Sequence, residues 1–130
     1  MAQLTSQQAN ELANNFLGMA QTVGDYWYQN FDSLPKQESQ KIQDLQLEIL
    51  KYANELYTLS ATLVMDDVQL SLSSIGEVTN LMKNTYNNLK DFGKAINIAA
   101  AVVSLGESIL NKNPKDIASS LSTLFNTFQS

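Results

Sequence analysis

Residues 5–31 read TSQQANELANNFLGMAQTVGDYWYQNF. Ala9, Leu12, Ala13, Phe16, Leu17, Ala20, Val23, Trp27 and Phe31 recur at intervals of three and four. That spacing lines one face of an α-helix, which turns once every 3.6 residues. Thr5 and Gln8 have the spacing of a capping box, in which each side chain satisfies a backbone N–H left over at the helix start. The stretch predicts a helix over about 6–31. Gly18 and Gly24 weaken it slightly and let another helix approach closely.

The same period continues downstream. Pro35 and Pro114 are placed where helices begin, because the N–H that proline lacks has no partner in a first helical turn. Asp32-Ser33 and Asn113 are the matching N-cap candidates. A second stripe runs through Ile42, Leu45, Ile49, Ala53, Leu56, Leu59 or Ser60, and Leu63. Lys36, Glu38, Lys41, Asp44, Glu48, Lys51 and Glu55 mix signs around it, as a solvated helix face does.

Asp66-Asp67 fall where core positions are due, and the stripe resumes in shifted phase. It then runs through Val68, Leu72, Ile75, Val78, Leu81 or Met82, Tyr86, Leu89 and Phe92. Asp66 with Gln69, and Ser74 with Glu77, each have capping spacing, so a turn is expected near 65–67, or else near 73–76. The alternative is one helix from 34 to 91, roughly 85 Å long, which an intertwined oligomer would have to cover. Gly93 is the expected stop of the third helix. Ala95 to Leu105 is the most apolar run, closed by Gly106-Glu107. After a turn at Asn111-Lys112-Asn113-Pro114, Ile117, Leu121, Leu124, Phe125 and Phe128 mark a last helix.

No alternating strand pattern and no solenoid period appears. The expectation is an all-α fold and a single domain over 1–130. It is an elongated up-down bundle of three long helices (about 6–31, 34–65 and 67–92) and two short C-terminal ones (about 94–111 and 114–128). The short pair forms either the fourth rod or a hairpin across one end.

Composition narrows function. The 130 residues contain no His, no Cys and no Arg. The usual general base, the thiol nucleophile, the softer metal ligands and the bidentate phosphate clamp are therefore missing. A dimetal bundle site needs Glu-x-x-His motifs, which this chain cannot supply. Asp44 and Glu48 alternate with lysines, and adjacent Asp66 and Asp67 face different directions on a helix. No cofactor and no metal is expected. An enzyme built on carboxylates or on Ser and Lys is the remote third reading. A net charge of −5 without arginine argues against nucleic acid. Thirteen Asn and eleven Gln outnumber the charged residues, and such weakly repulsive surfaces tolerate self-association. The polar start carries no secretory pattern, and no run reaches the ~20 apolar residues of a spanning helix. The default expectation is a cytoplasmic protein.

Two clusters stand out. Tyr26, Trp27, Tyr28 and Phe31 are interaction candidates, because aromatic anchors are enriched at protein contacts. Their plain reading is a core plug, with Trp27 and Phe31 inward and the hydroxyls of Tyr26 and Tyr28 in water. Ala95, Ile98, Ala99, Val102, Val103 and Leu105 form a small-residue helix. It is either a core helix packed all round or, with 117–128, a membrane-active hairpin. In apolar pattern alone, without a shared motif, this layout resembles the apolar hairpins of α-helical pore-forming toxins. The expected function is a non-enzymatic structural or protein-interaction module that self-associates through apolar helix faces. A membrane-active protein using 95–110 is the alternative. The partner is a second copy or another protein, with the 6–31 helix as the leading interface.

Overall fold

The computed structural model describes residues 2–58, 64–65 and 68–129. They form five helices: α1 (Ser6–Gln29), α2 (Lys36–Thr58), α3 (Val68–Tyr86), α4 (Phe92–Leu110) and α5 (Pro114–Gln129). The fold is all-α but for two short strands, β1 (Ala2–Gln3) and β2 (Val64–Met65). These pair antiparallel, Ala2 opposite Met65 and Gln3 opposite Val64. Two residues are too few for a period-two pattern, so the sequence could not announce this bridge.

α2 and α3 are separate helices, which removes the continuous 34–91 rod. α3 runs through 73–76, so no turn lies there. The turn expected at 65–67 falls largely on residues 66 and 67, outside the described residues. α3 stops at Tyr86, short of the end that its stripe suggested, whereas the last positions of the second stripe, Leu59 or Ser60 and Leu63, lie outside the described residues. Helix lengths fall from 24 residues in α1 to 16 in α5, with α3 and α4 equal at 19.

Local chemistry sets the ends. The Gln8 N–H donates to Thr5 Oγ1 at 3.1 Å, and the Thr5 N–H donates to Gln8 Oε1 at 2.9 Å, which completes the capping box. Asn113 starts α5, its carbonyl accepting the Ile117 N–H at 3.1 Å. Pro35 is one position earlier than expected. Its carbonyl accepts the Ser39 N–H at 2.9 Å, so Pro35 itself occupies the cap site. Ser33 lies in the preceding turn, where its N–H and that of Leu34 donate to the Asn30 carbonyl. Gly93 does not stop α3. It lies inside the first turn of α4, behind the Asp91 cap, whose side chain accepts the Lys94 N–H at 3.0 Å. The left-handed residue after α3 is Asn88, with φ 63°. Asn tolerates that region because its short amide bonds locally to the backbone.

Cross-contacts give the helix directions. Tyr57 donates to Asn14, Gln46 lies against Gly24, and the Trp27 indole N–H donates to Ser39. α2 therefore runs antiparallel to α1. Asn15 meets Thr79, and Tyr26 meets Tyr86, so α3 runs parallel to α1. α1 packs on α2 and α3, α4 packs on α2 and α5, and α5 reaches α3. The five helices close a ring around one apolar core. Leu12, Phe16, Met19, Ile42, Ile49, Leu56, Ile75, Met82 and Ile98 are among its fully buried side chains. Each stabilises the fold by about 1.5–3 kcal/mol relative to exposure.

Candidate functional site

The aromatic end of α1 is turned relative to the expected plug. Tyr26, not Phe31, points inward and is 2% exposed. It sits one turn past Val23 on the buried stripe Ala9, Leu12, Phe16, Met19, Val23. Its hydroxyl donates to the Leu89 carbonyl at 3.0 Å, and its ring meets Tyr86 edge-on at 5.1 Å. Burial, with Asp91 nearby, pushes its phenol up from the usual value. Phe31 lies beyond the end of the helix, where the 3.6-residue period no longer governs direction, and is 56% exposed. Tyr28 is 78% exposed.

Trp27 is half-buried and held from two sides. Its indole N–H donates to Ser39 Oγ at 2.8 Å, and Phe31 stands edge-on at 5.2 Å. Trp27, Tyr28, Phe31 and Asp32 line one shallow hollow. Three of the four aromatic candidates thus share a surface, while Tyr26 belongs to the core.

The small-residue helix is a core helix on one side. Ala95, Ile98, Ala99, Val102 and Leu105 are buried, and Val103 is half-buried. Asn97, Ala100, Ser104 and Glu107 are exposed, so α4 is not packed all round as the core reading expected. Of the two small-residue pairs, Ala95 and Ala99 pack inward, whereas Ala100 and Ser104 face solvent. α4 and α5 form a hairpin in which Ser108 Oγ and Ser120 Oγ are 2.9 Å apart.

Two features escaped the sequence reading. The first is a clamp between α2 and α4. The Tyr52 hydroxyl lies 3.4 Å from Glu48 Oε1 and 3.3 Å from Glu107 Oε1. Burial first, then the two carboxylates, raise its phenol well above the usual range. Gly106 admits the ring, since a Cβ there would stand 2.6 Å from Tyr52 Cδ2. The Glu48-to-Tyr52 spacing of one helical turn was a legible half of this clamp, but nothing local pointed to Glu107.

The second feature is a polar groove between the parallel helices α1 and α3. Gln7, Asn10, Glu11, Asn14, Asn15 and Gly18 line it from α1. Gly76, Thr79, Asn80 and Lys83 line it from α3. The Thr79 hydroxyl lies 2.8 Å from Asn15 Oδ1 and ties the two walls together. The signal was the density of amides in 7–15, legible as polarity but not as a groove until the neighbour of α1 was known.

Among the described residues, no three acidic side chains gather as a metal site would require. No protein-family model, curated protein or solved structure matches the chain significantly.

Proposed function

We propose that the chain is a non-enzymatic helical-bundle module that acts by protein–protein contact and self-associates through its aromatic end. The observation that carries this reading is the contiguous exposure of Tyr28 and Phe31 beside a fixed Trp27. Single exposed apolar residues are ordinary, but a contiguous patch marks a contact surface. Trp27 is already immobilised by Ser39 and Phe31, so it loses little conformational freedom on binding. Rigid aromatic anchors of this kind dominate interface energetics. The occupant is an apolar helix face, on a second copy or another protein.

Sedimentation velocity over a concentration series tests the reading, with wild type beside a Tyr28→Ser/Phe31→Ser variant. The wild type should gain mass with concentration and the variant less so, with Trp27 fluorescence shifting to the blue only in the wild type. Identical sedimentation at every concentration refutes the aromatic contact.

A second reading is supported by α4. Phe92–Leu110 is the one helix among the described residues long and apolar enough to cross a membrane, although 44% of its apolar window is buried inside the bundle. In that reading α4 leaves the core to enter a bilayer. Liposome sedimentation and dye leakage between pH 4 and 7, with anionic and zwitterionic lipid, separate the two readings. No binding at any pH rejects it.

A further inference from the structure

The hollow lined by Trp27, Tyr28, Phe31 and Asp32 has a chemistry that contact with an apolar helix face does not use. The Trp27 indole N–H is already taken by Ser39 Oγ at 2.8 Å, so this side chain offers a ligand its ring face. Phe31 has only a ring to offer. The two ring planes stand 78° apart with centroids at 5.2 Å, and so meet as two walls of a corner. The bond to Ser39 fixes one wall, and the exposed Tyr28 brings a third ring to the rim.

Aromatic faces carry the negative part of the ring quadrupole and attract cations. Two further features of the same sign converge here. Asp32 adds a carboxylate to the lining, which no lysine joins. α1 ends at Gln29 with no basic residue in its last turn, so nothing on the helix offsets the partial negative charge of its C-terminus. Lys36 is the first lysine of the sequence, and α1 therefore carries no cation at all. Among the described residues Asp32 is in no ion pair. The cation–π contact found among them places Lys51 over Tyr52, on α2, and not over these three rings.

The lining also selects among cations. Burying an N–H donor without an acceptor is costly, and ring faces accept no ordinary hydrogen bond. A primary ammonium would lose more hydration here than the rings return. A quaternary ammonium has no N–H to satisfy, and its methyl groups pack directly on ring faces. An anionic group joined to it, as in a phospholipid headgroup, would meet no lysine in the lining.

We propose that this hollow binds a free quaternary ammonium compound of the size of choline, with Trp27 and Phe31 as its walls and Asp32 as the counter-charge. The site shares residues with the aromatic self-contact but does not depend on it.

Trp27 is the single tryptophan of the chain, so its emission reports directly on the hollow. Choline chloride is titrated into dilute, monomeric protein, with sodium chloride as the control salt. Emission should change saturably with choline and not with sodium. The neutral analogue, with a tert-butyl group in place of trimethylammonium, should bind about twofold to thirtyfold more weakly. Asp32→Asn and Phe31→Leu should each weaken choline about twofold or more, with the helical circular dichroism unchanged. No saturable change, equal affinity for the neutral analogue, or undiminished affinity in either variant overturns the site. Binding to phosphatidylcholine vesicles without binding to choline also overturns it, in favour of a lipid surface. Sedimentation reads the self-contact separately. A chain that binds choline but stays monomeric at every concentration keeps the site and loses the self-contact. One that self-associates without binding choline does the reverse.

Discussion

Replacing Gly106 and Gly76 by alanine, separately, should move stability in opposite directions. Both glycines are helical, so each substitution gains about 1 kcal/mol of helix propensity. Their surroundings differ. At Gly106 a new Cβ would stand 2.6 Å from Tyr52 Cδ2, 3.0 Å from Cγ and 3.1 Å from Cε2. These are ring atoms near the root of the side chain, and the far end is not free to swing. The ring is 5% exposed, and its hydroxyl lies between Glu48 and Glu107. Overpacking of this kind costs about 1–3 kcal/mol. At Gly76 nothing lies within 4 Å. Gly76→Ala should therefore stabilise by about 0.5–1 kcal/mol, and Gly106→Ala should destabilise by up to about 2 kcal/mol. The propensity gain cancels in the comparison, so the gap between the variants measures the Tyr52 contact alone. For a chain of this size each kcal/mol shifts Tm by roughly 3–6 °C. Urea and thermal unfolding followed by circular dichroism, at a concentration where the chain is monomeric, reads both. If the two substitutions raise stability equally, Tyr52 does not pack against Gly106 and the reasoning is wrong.

Two further outcomes follow from backbone and titration chemistry. Asn88→Gly should hold or raise stability by up to about 1 kcal/mol, whereas Asn88→Val should lower it by about 1–2 kcal/mol, because a β-branched residue is poorly tolerated at φ 63°; urea unfolding of the pair checks this. The buried phenols of Tyr26, Tyr52 and Tyr86 are raised in the folded state and relax to about 10 on unfolding. Their contribution to stability is thus complete below about pH 10 and lost as pH rises through the folded values. Absorbance titration should show Tyr26, Tyr52 and Tyr86 ionising only as the helical signal falls; their ionisation in the folded protein would contradict the burial.

The legible parts of this fold were those encoded locally. The Ala9-to-Val23 stripe, the Thr5 box and the Asn113 cap each depend on residues within a few positions of one another, and the structure places all three as the sequence implied. Errors arose where a local signal misled or where the period ran out. Gly93 was the stop expected for α3 because glycine tolerates a left-handed backbone, but the residue that takes that conformation is Asn88, which the stripe alone did not mark. Phe31 fits the stripe arithmetically, but the helix has ended before it. Tyr52, Gly106 and Glu107 form their clamp across a long separation in the chain, so no window of sequence contains it. The groove was hidden for the same reason, since it exists only because α3 lies parallel beside α1.

The order of helices around the ring also bears on how the chain is made. α5 is synthesised after the other four helices, and it meets both α4 and α3. β1, near the start, cannot pair until residues 64–65 have emerged. An α1–α2 hairpin can therefore form early on the ribosome, but with its stripe of Leu12, Phe16, Met19, Ile42 and Ile49 open on one side. At translation rates of about 5–20 residues per second, the interval from the end of α2 to the end of α5 lasts between about 4 and 14 s. Over that interval the nascent chain is an apolar trough awaiting its closing helix. Its sides are walled by α3 against α1 and α4 against α2, and Ile117, Leu121 and Leu124 of α5 close the ring between those two walls.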